Sequence, residues 1–91
     1  MSIGFAYVEM GRYTDAIPIL KQASTAFPNI MPTHLTLIES YVELGHEEDA
    51  RAAAADLMRM SPEFTVALVP YARDEGGNKR LRDDLRKAGL K

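Results

Sequence analysis

Two histidines, His34 and His46, are the side chains best placed by their chemistry to move protons or bind a metal near neutral pH. They stand twelve residues apart, and the chain contains no cysteine. Neither the spacing nor the ligand set matches a zinc site, and each histidine lies near a helix end, where a solvated or capping role accounts for it. Glu39 and Glu43 are one helical turn apart and can approach a common cation, but on an exposed helix such a pair mainly repels. Ser2, Ser24, Ser40 and Ser61 have no histidine at a spacing that would activate a hydroxyl. Gly76 and Gly77 read as a turn, because no strand precedes them to present a phosphate loop. Five basic residues lie between Lys79 and Lys87. Asp83 and Asp84 interrupt that face, and the aromatic side chains that would stack bases are missing, so a solvated cap is expected rather than a nucleic-acid surface. No catalytic residue, metal ligand or cofactor site emerges, and no enzymatic activity is expected.

The remaining work must be done by surfaces, so charge distribution matters more than its total. The net charge is −2. Residues 1–72 hold four basic and nine acidic side chains, a balance of −5, while residues 73–91 hold seven basic and four acidic, a balance of +3. An acidic body and a basic tail bear on partners rather than on fold. No apolar run reaches the roughly 18 residues of a membrane span, and no basic-then-apolar leader opens the chain. A cytoplasmic protein without membrane contact is expected, and 91 residues suit one domain.

The elements that carry these surfaces are written twice. Tyr7, Val8, Glu9, Gly11, Asp15, Ala16 and Pro28 return as Tyr41, Val42, Glu43, Gly45, Asp49, Ala50 and Pro62, seven identities at one offset of 34. A period of this size implies stacked pairs of helices, each covering the apolar flank of the next. A first helix runs to Met10 and stops at Gly11. A second spans about Thr14–Ala26, with Ala16, Ile17, Leu20, Ala23 and Phe27 packing and Pro18 bending it mildly. Pro32 and Thr33 open a third, which Gly45 ends. Glu47, Glu48 and Asp49 start a fourth at its positive dipole end, and it closes at Pro62. After Pro62 the period degrades, with Leu68 and Ala72 in a weak third copy. Asn78 is expected to cap a last helix, whose Leu81, Leu85, Ala88 and Leu90 form one stripe beneath a charged face.

Two helices per 34 residues, with Ile3, Gly4, Tyr7, Gly11, Ala16, Leu20, Ala23 and Pro28 in the first copy, resemble the tetratricopeptide repeat. The second copy holds Leu37, Ile38, Tyr41, Gly45, Ala50, Ala54, Leu57 and Pro62, where Ile38, Ala54 and Leu57 depart from the pattern. The resemblance implies an all-α, right-handed solenoid of about six antiparallel helices. It divides the single domain into a first repeat over residues 1–28, truncated at its start, a second over 29–62, and a divergent repeat with a capping helix over 63–91. The close of the chain, Leu85 to Leu90, is also loosely similar to tetratricopeptide regions of bacterial class III adenylate cyclases.

The same resemblance implies a concave groove on the inner helices, lined by Phe5, Val8, Glu9, Leu35, Glu39, Val42, Glu43, Val66, Val69 and Arg73. An apolar floor edged by carboxylates suits a peptide or protein with apolar anchors and basic residues. It repels the carboxylate tails that some members clamp with lysine and arginine. The expectation is therefore a non-catalytic protein-interaction scaffold. The alternatives are a homo-oligomerisation element, in which the uncapped edge of Met1, Phe5, Tyr7 and Ile17 or the basic tail meets another copy, and a regulatory tail of a signalling enzyme.

Overall fold

The period survives in three dimensions as repeated backbone geometry at the turns. A computed structural model of the chain describes residues 7–8, 10–28, 31–66 and 75–90. Gly11 and Gly45 take φ of +75° and +78°, left-handed values that disfavour any side chain. Around Gly11, its amide bonds to the Val8 carbonyl and the Arg12 amide reaches back to the Tyr7 carbonyl. Around Gly45 the same two bonds run to Val42 and from His46 to Tyr41. Both are the paired bonds that close a helix through a glycine and satisfy its last carbonyls. Arg12 and His46, which follow the glycines, have φ/ψ of −94°/64° and −87°/68°. Side chains repeat as well: Arg12 lies over the Tyr7 ring and His46 stacks on Tyr41, while Arg12 pairs with Asp15 and His46 with Asp49.

Four helices follow from these stops: α1, Tyr13–Ala26; α2, Met31–Glu43; α3, Glu47–Met60; and α4, Glu75–Lys87. The expected first helix is represented by the helical Tyr7 and Val8, and the expected helix around Leu68 and Ala72 lies outside the described residues. Helix α1 runs unbroken through Pro18. The proline is exposed, as is Thr14, so the carbonyl deprived of its partner meets water. Acidic side chains occupy the first turns of α1 (Asp15) and α3 (Glu47, Glu48, Asp49), where the helix dipole favours them. Both helices end alike, with the amides of Phe27 and Ser61 bonded to the carbonyls of Ala23 and Leu57. Phe27 itself is 67% exposed, against the expectation that it packs. It sits outside the last helical turn at φ −133°, held extended before Pro28, so its ring leaves the face that Ala16 and Leu20 bury.

Helix α2 is the hub. It packs against α1, α3 and α4, and every residue from Leu35 to Tyr41 is buried. A helix buried all round normally lacks polar residues. Here Ser40 satisfies its hydroxyl on the Thr36 carbonyl at 2.9 Å, and Glu39 is held as described below.

Helix α4 departs from expectation at its start. It begins at Glu75 and includes Gly76, Gly77 and Asn78 as helical residues, so Asn78 is not its cap. Two glycines cost a helix about 1 kcal/mol each, and the burial of Leu81 and Leu85 offsets that locally unfavourable start. The helix ends on Gly89, at φ +99°, with the Leu90 amide bonded to the Leu85 carbonyl, the same stop used after Tyr7 and Tyr41.

At Gly45 an added Cβ would meet nothing within 4 Å, so a substitution there tests backbone conformation alone. Gly45→Ala is expected to lower folding stability by about 1–2 kcal/mol in urea denaturation, with the slope of the transition unchanged.

Candidate functional site

The seam between α2 and α4 gathers polar groups that a hydrophobic interface would exclude. Glu39, on α2, is fully buried, and its Oε2 accepts a 3.3 Å hydrogen bond from Nε of Arg80, on α4. One turn further along each helix, Asp84 shares a side-chain hydrogen bond with Glu43. Both pairs are separated by 41 residues, so α2 and α4 run parallel and in register. Two carboxyl groups can share a hydrogen bond only if one keeps its proton. Asp84 is 1% exposed, and its Oδ2 has no hydrogen-bond partner. Burial, the bond to Glu43 and the charges of Glu43 and Glu39 push its pKa up to about 8. Sequence periodicity had placed Asp84 on the charged outer face, with Asp83. The structure divides them: Asp83 bonds Lys79 at 2.9 Å on the surface, which holds its carboxyl below the usual range.

Tyr13, at the start of α1, faces the same group. Partial burial raises its hydroxyl pKa; Arg80 opposes the shift, and Glu39, Glu43 and Asp84 add to it. Where the seam meets solvent, a cleft of about 330 Å³ is lined by Glu43, Lys79, Arg80, Asp83, Asp84 and Lys87. Cations and carboxyl groups are interspersed around this cleft, so it does not present a surface of one sign to an ion. Among the described residues no group of three histidine, cysteine or carboxylate side chains is arranged to hold a metal. His34 instead meets the Pro28 carbonyl at 2.7 Å, tying the start of α2 to the turn before it.

The residues expected to line a groove are distributed unevenly. Leu35, Glu39 and Val66 are buried, as is Val8; Val42 is half-buried and Glu43 exposed. Phe5, Glu9, Val69 and Arg73 lie outside the described residues. Leu35 and Glu39 thus form an α2 surface closed by packing, with Glu43 at its accessible edge. Within the chain, Arg80 of the basic tail bonds Glu39 of the acidic body. Of the expected self-association edge, Tyr7 and Ile17 are half-buried, and Met1 and Phe5 lie outside the described residues.

No described helix is long and apolar enough to cross a membrane. Neither a curated protein nor a solved structure matches the chain. The sequence model of the tetratricopeptide repeat matches residues 7–72, which contain both glycine-stopped turns and helices α1 to α3. Taken with the turn geometry that recurs at 34 residues, this match shows that the chain belongs to the tetratricopeptide repeat family, whose repeats serve in general as protein–protein interaction scaffolds.

Proposed function

We propose that this chain is a non-catalytic interaction module whose recognition surface is the acidic, apolar face of α2. Its ligand is a peptide or partner protein bearing apolar anchors and basic residues. The observation that carries the reading is the capture of Arg80 by the fully buried Glu39 in an interface that also buries Leu81 and Leu85. This face already holds a basic, leucine-bearing helix, which is the ligand chemistry that its charge and shape select. Glu43, with the half-buried Val42 beside it, offers a partner first contact. Phe5, Val8, Glu9, Leu35, Glu39, Val66, Val69 and Arg73 are proposed to complete the surface around them.

Selection of displayed random peptides on the full-length chain tests this. Enriched sequences are expected to combine leucine, isoleucine or phenylalanine with lysine or arginine. Their affinity should fall several-fold between ~0.05 and ~0.5 M salt, because the contacts at the edge are exposed. Glu43→Lys, a change at an exposed position, should weaken the selected peptides about fivefold or more. Enrichment of acidic peptides, or equal binding by the Glu43→Lys chain, would sink the proposal.

A further inference from the structure

Helix α4 does more than close the chain, because its contacts specify what a ligand of this face must look like. Arg80 reaches Glu39, and Leu81 and Leu85, four residues apart, enter the same buried cluster as Leu35 and Ile38. Asp84 lies between those leucines in sequence and meets Glu43. The pattern is a guanidinium immediately before the first leucine, a hydrogen-bonding group that is neutral when bound three residues after it, and a second leucine one residue later. It is read in parallel along α2, since both polar pairs keep one separation. Much of the affinity of a helix in a groove comes from such apolar anchors, and selectivity comes from the polar positions that would be left buried and unpaired by the wrong sequence.

The geometry points to α4 as the resident occupant of the binding face, and to the partner as an amphipathic helix carrying the same Arg-Leu-x-x-Asp-Leu pattern, which takes the place of α4 on α2. The inference rests on the reading that α2 bears the recognition surface. It adds the occupant, its direction and its order of side chains. Three features favour exchange over permanent docking. Among the described helices α4 leans chiefly on α2, whereas α2 retains α1 and α3 without it. Its first turn contains two glycines, which weaken it as a free-standing helix. Its central polar group, Asp84, is a buried carboxyl set against Glu43 and Glu39, so the resident helix is an imperfect ligand that a trans helix with asparagine at that position would better.

A fluorescein-labelled synthetic peptide of residues 75–91 is the probe. It is titrated into the full-length chain, into the full-length Arg80→Glu variant, whose own α4 is repelled by Glu39, and into a Leu81→Asp variant that dislodges α4 by its apolar side. Circular dichroism establishes that helices α1 to α3 remain folded, and Arg80→Glu, a change at a half-exposed residue, serves if Leu81→Asp does not fold. The peptide is expected to bind the opened chains at least about tenfold more tightly than the wild type. A peptide carrying Arg80→Glu should bind them about tenfold more weakly, and Glu39→Gln in the opened chain should erase most of that difference.

Absence of saturable binding to folded, opened chains up to ~1 mM overturns the inference, as does binding indifferent to the arginine. Display-selected peptides that bind the opened chains while the α4 peptide does not would remove this inference and leave the wider functional reading standing; failure of both removes both. Sedimentation of the wild type as a dimer that Arg80→Glu dissociates would assign the face to a second copy of the chain and overturn the proposal of a different partner.

Discussion

Ile38→Ala is expected to lower folding stability by about 3–5 kcal/mol, among the largest effects of any single truncation at the described residues. Ile38 is fully buried on α2, the one helix packed against the other three described helices. Removing its branched side chain opens a cavity bounded by more than one neighbour, and a cavity walled on several sides relaxes poorly. A domain of this size has on the order of 5–14 kcal/mol in total, so the variant should be partly unfolded at physiological temperature. Leu85→Ala, on α4, is expected to cost less, about 2–3 kcal/mol, because its surroundings can follow one peripheral helix inward. Urea denaturation of both variants checks the order. Equal losses, or a smaller loss at Ile38, would mean that α2 is not the element on which the others depend.

The hub could be reached from the sequence only in part, and the reason is physical. Turns carry local signals: Gly11 and Gly45 stop helices because only glycine enters the left-handed region without strain, and that requirement is written in one residue. The buried positions Ala16, Leu20, Ala50, Ala54 and Leu57 likewise follow from helical spacing. Burial on every side of α2 does not, since it depends on which distant segment packs against the remaining face. Period alone places Glu39 at a groove edge; that it lies in the core, bonded to Arg80, depends on a residue 41 positions away. The start of α4 was hidden for a related reason. Gly76 and Gly77 argue locally for a break, and the packing of Leu81 and Leu85 prevails over local propensity. Asp84 was the least legible residue, because aspartate on a charged helix reads as solvated until its neighbours are known. One signal was available: Asp84 stands three residues after Leu81 and next to Leu85, within the arc of the apolar stripe.

That buried aspartate gives the second large effect, a dependence of stability on pH that one substitution should erase. With its pKa raised from 3.8 to about 8, Asp84 keeps in the folded chain a proton that the unfolded chain releases. The folded state therefore binds more protons between those values, and stability falls as pH rises through that window. The contribution is fully present below about pH 4 and lost by about pH 8. Above that, ionised Asp84 stands against Glu43 and Glu39, with Arg80 and Lys87 as the cations of its own helix and Tyr13 facing from α1. Tyr13 has its pKa raised above 10.0 and so does not titrate in the window. Asp83 shifts the opposite way and acts only at acid pH. Asp84→Asn keeps the shape, offers an amide hydrogen to Glu43, and holds no proton to lose. Near pH 5 the variant should match the wild type within about 1 kcal/mol, and near pH 8.5 it should be the more stable by on the order of 2 kcal/mol. In thermal melts that difference appears as roughly 4–8 °C for each kcal/mol. Curves of the two proteins that run parallel from pH 5 to 9 would show that Asp84 ionises freely in the folded chain and that the seam between α2 and α4 is not closed around it.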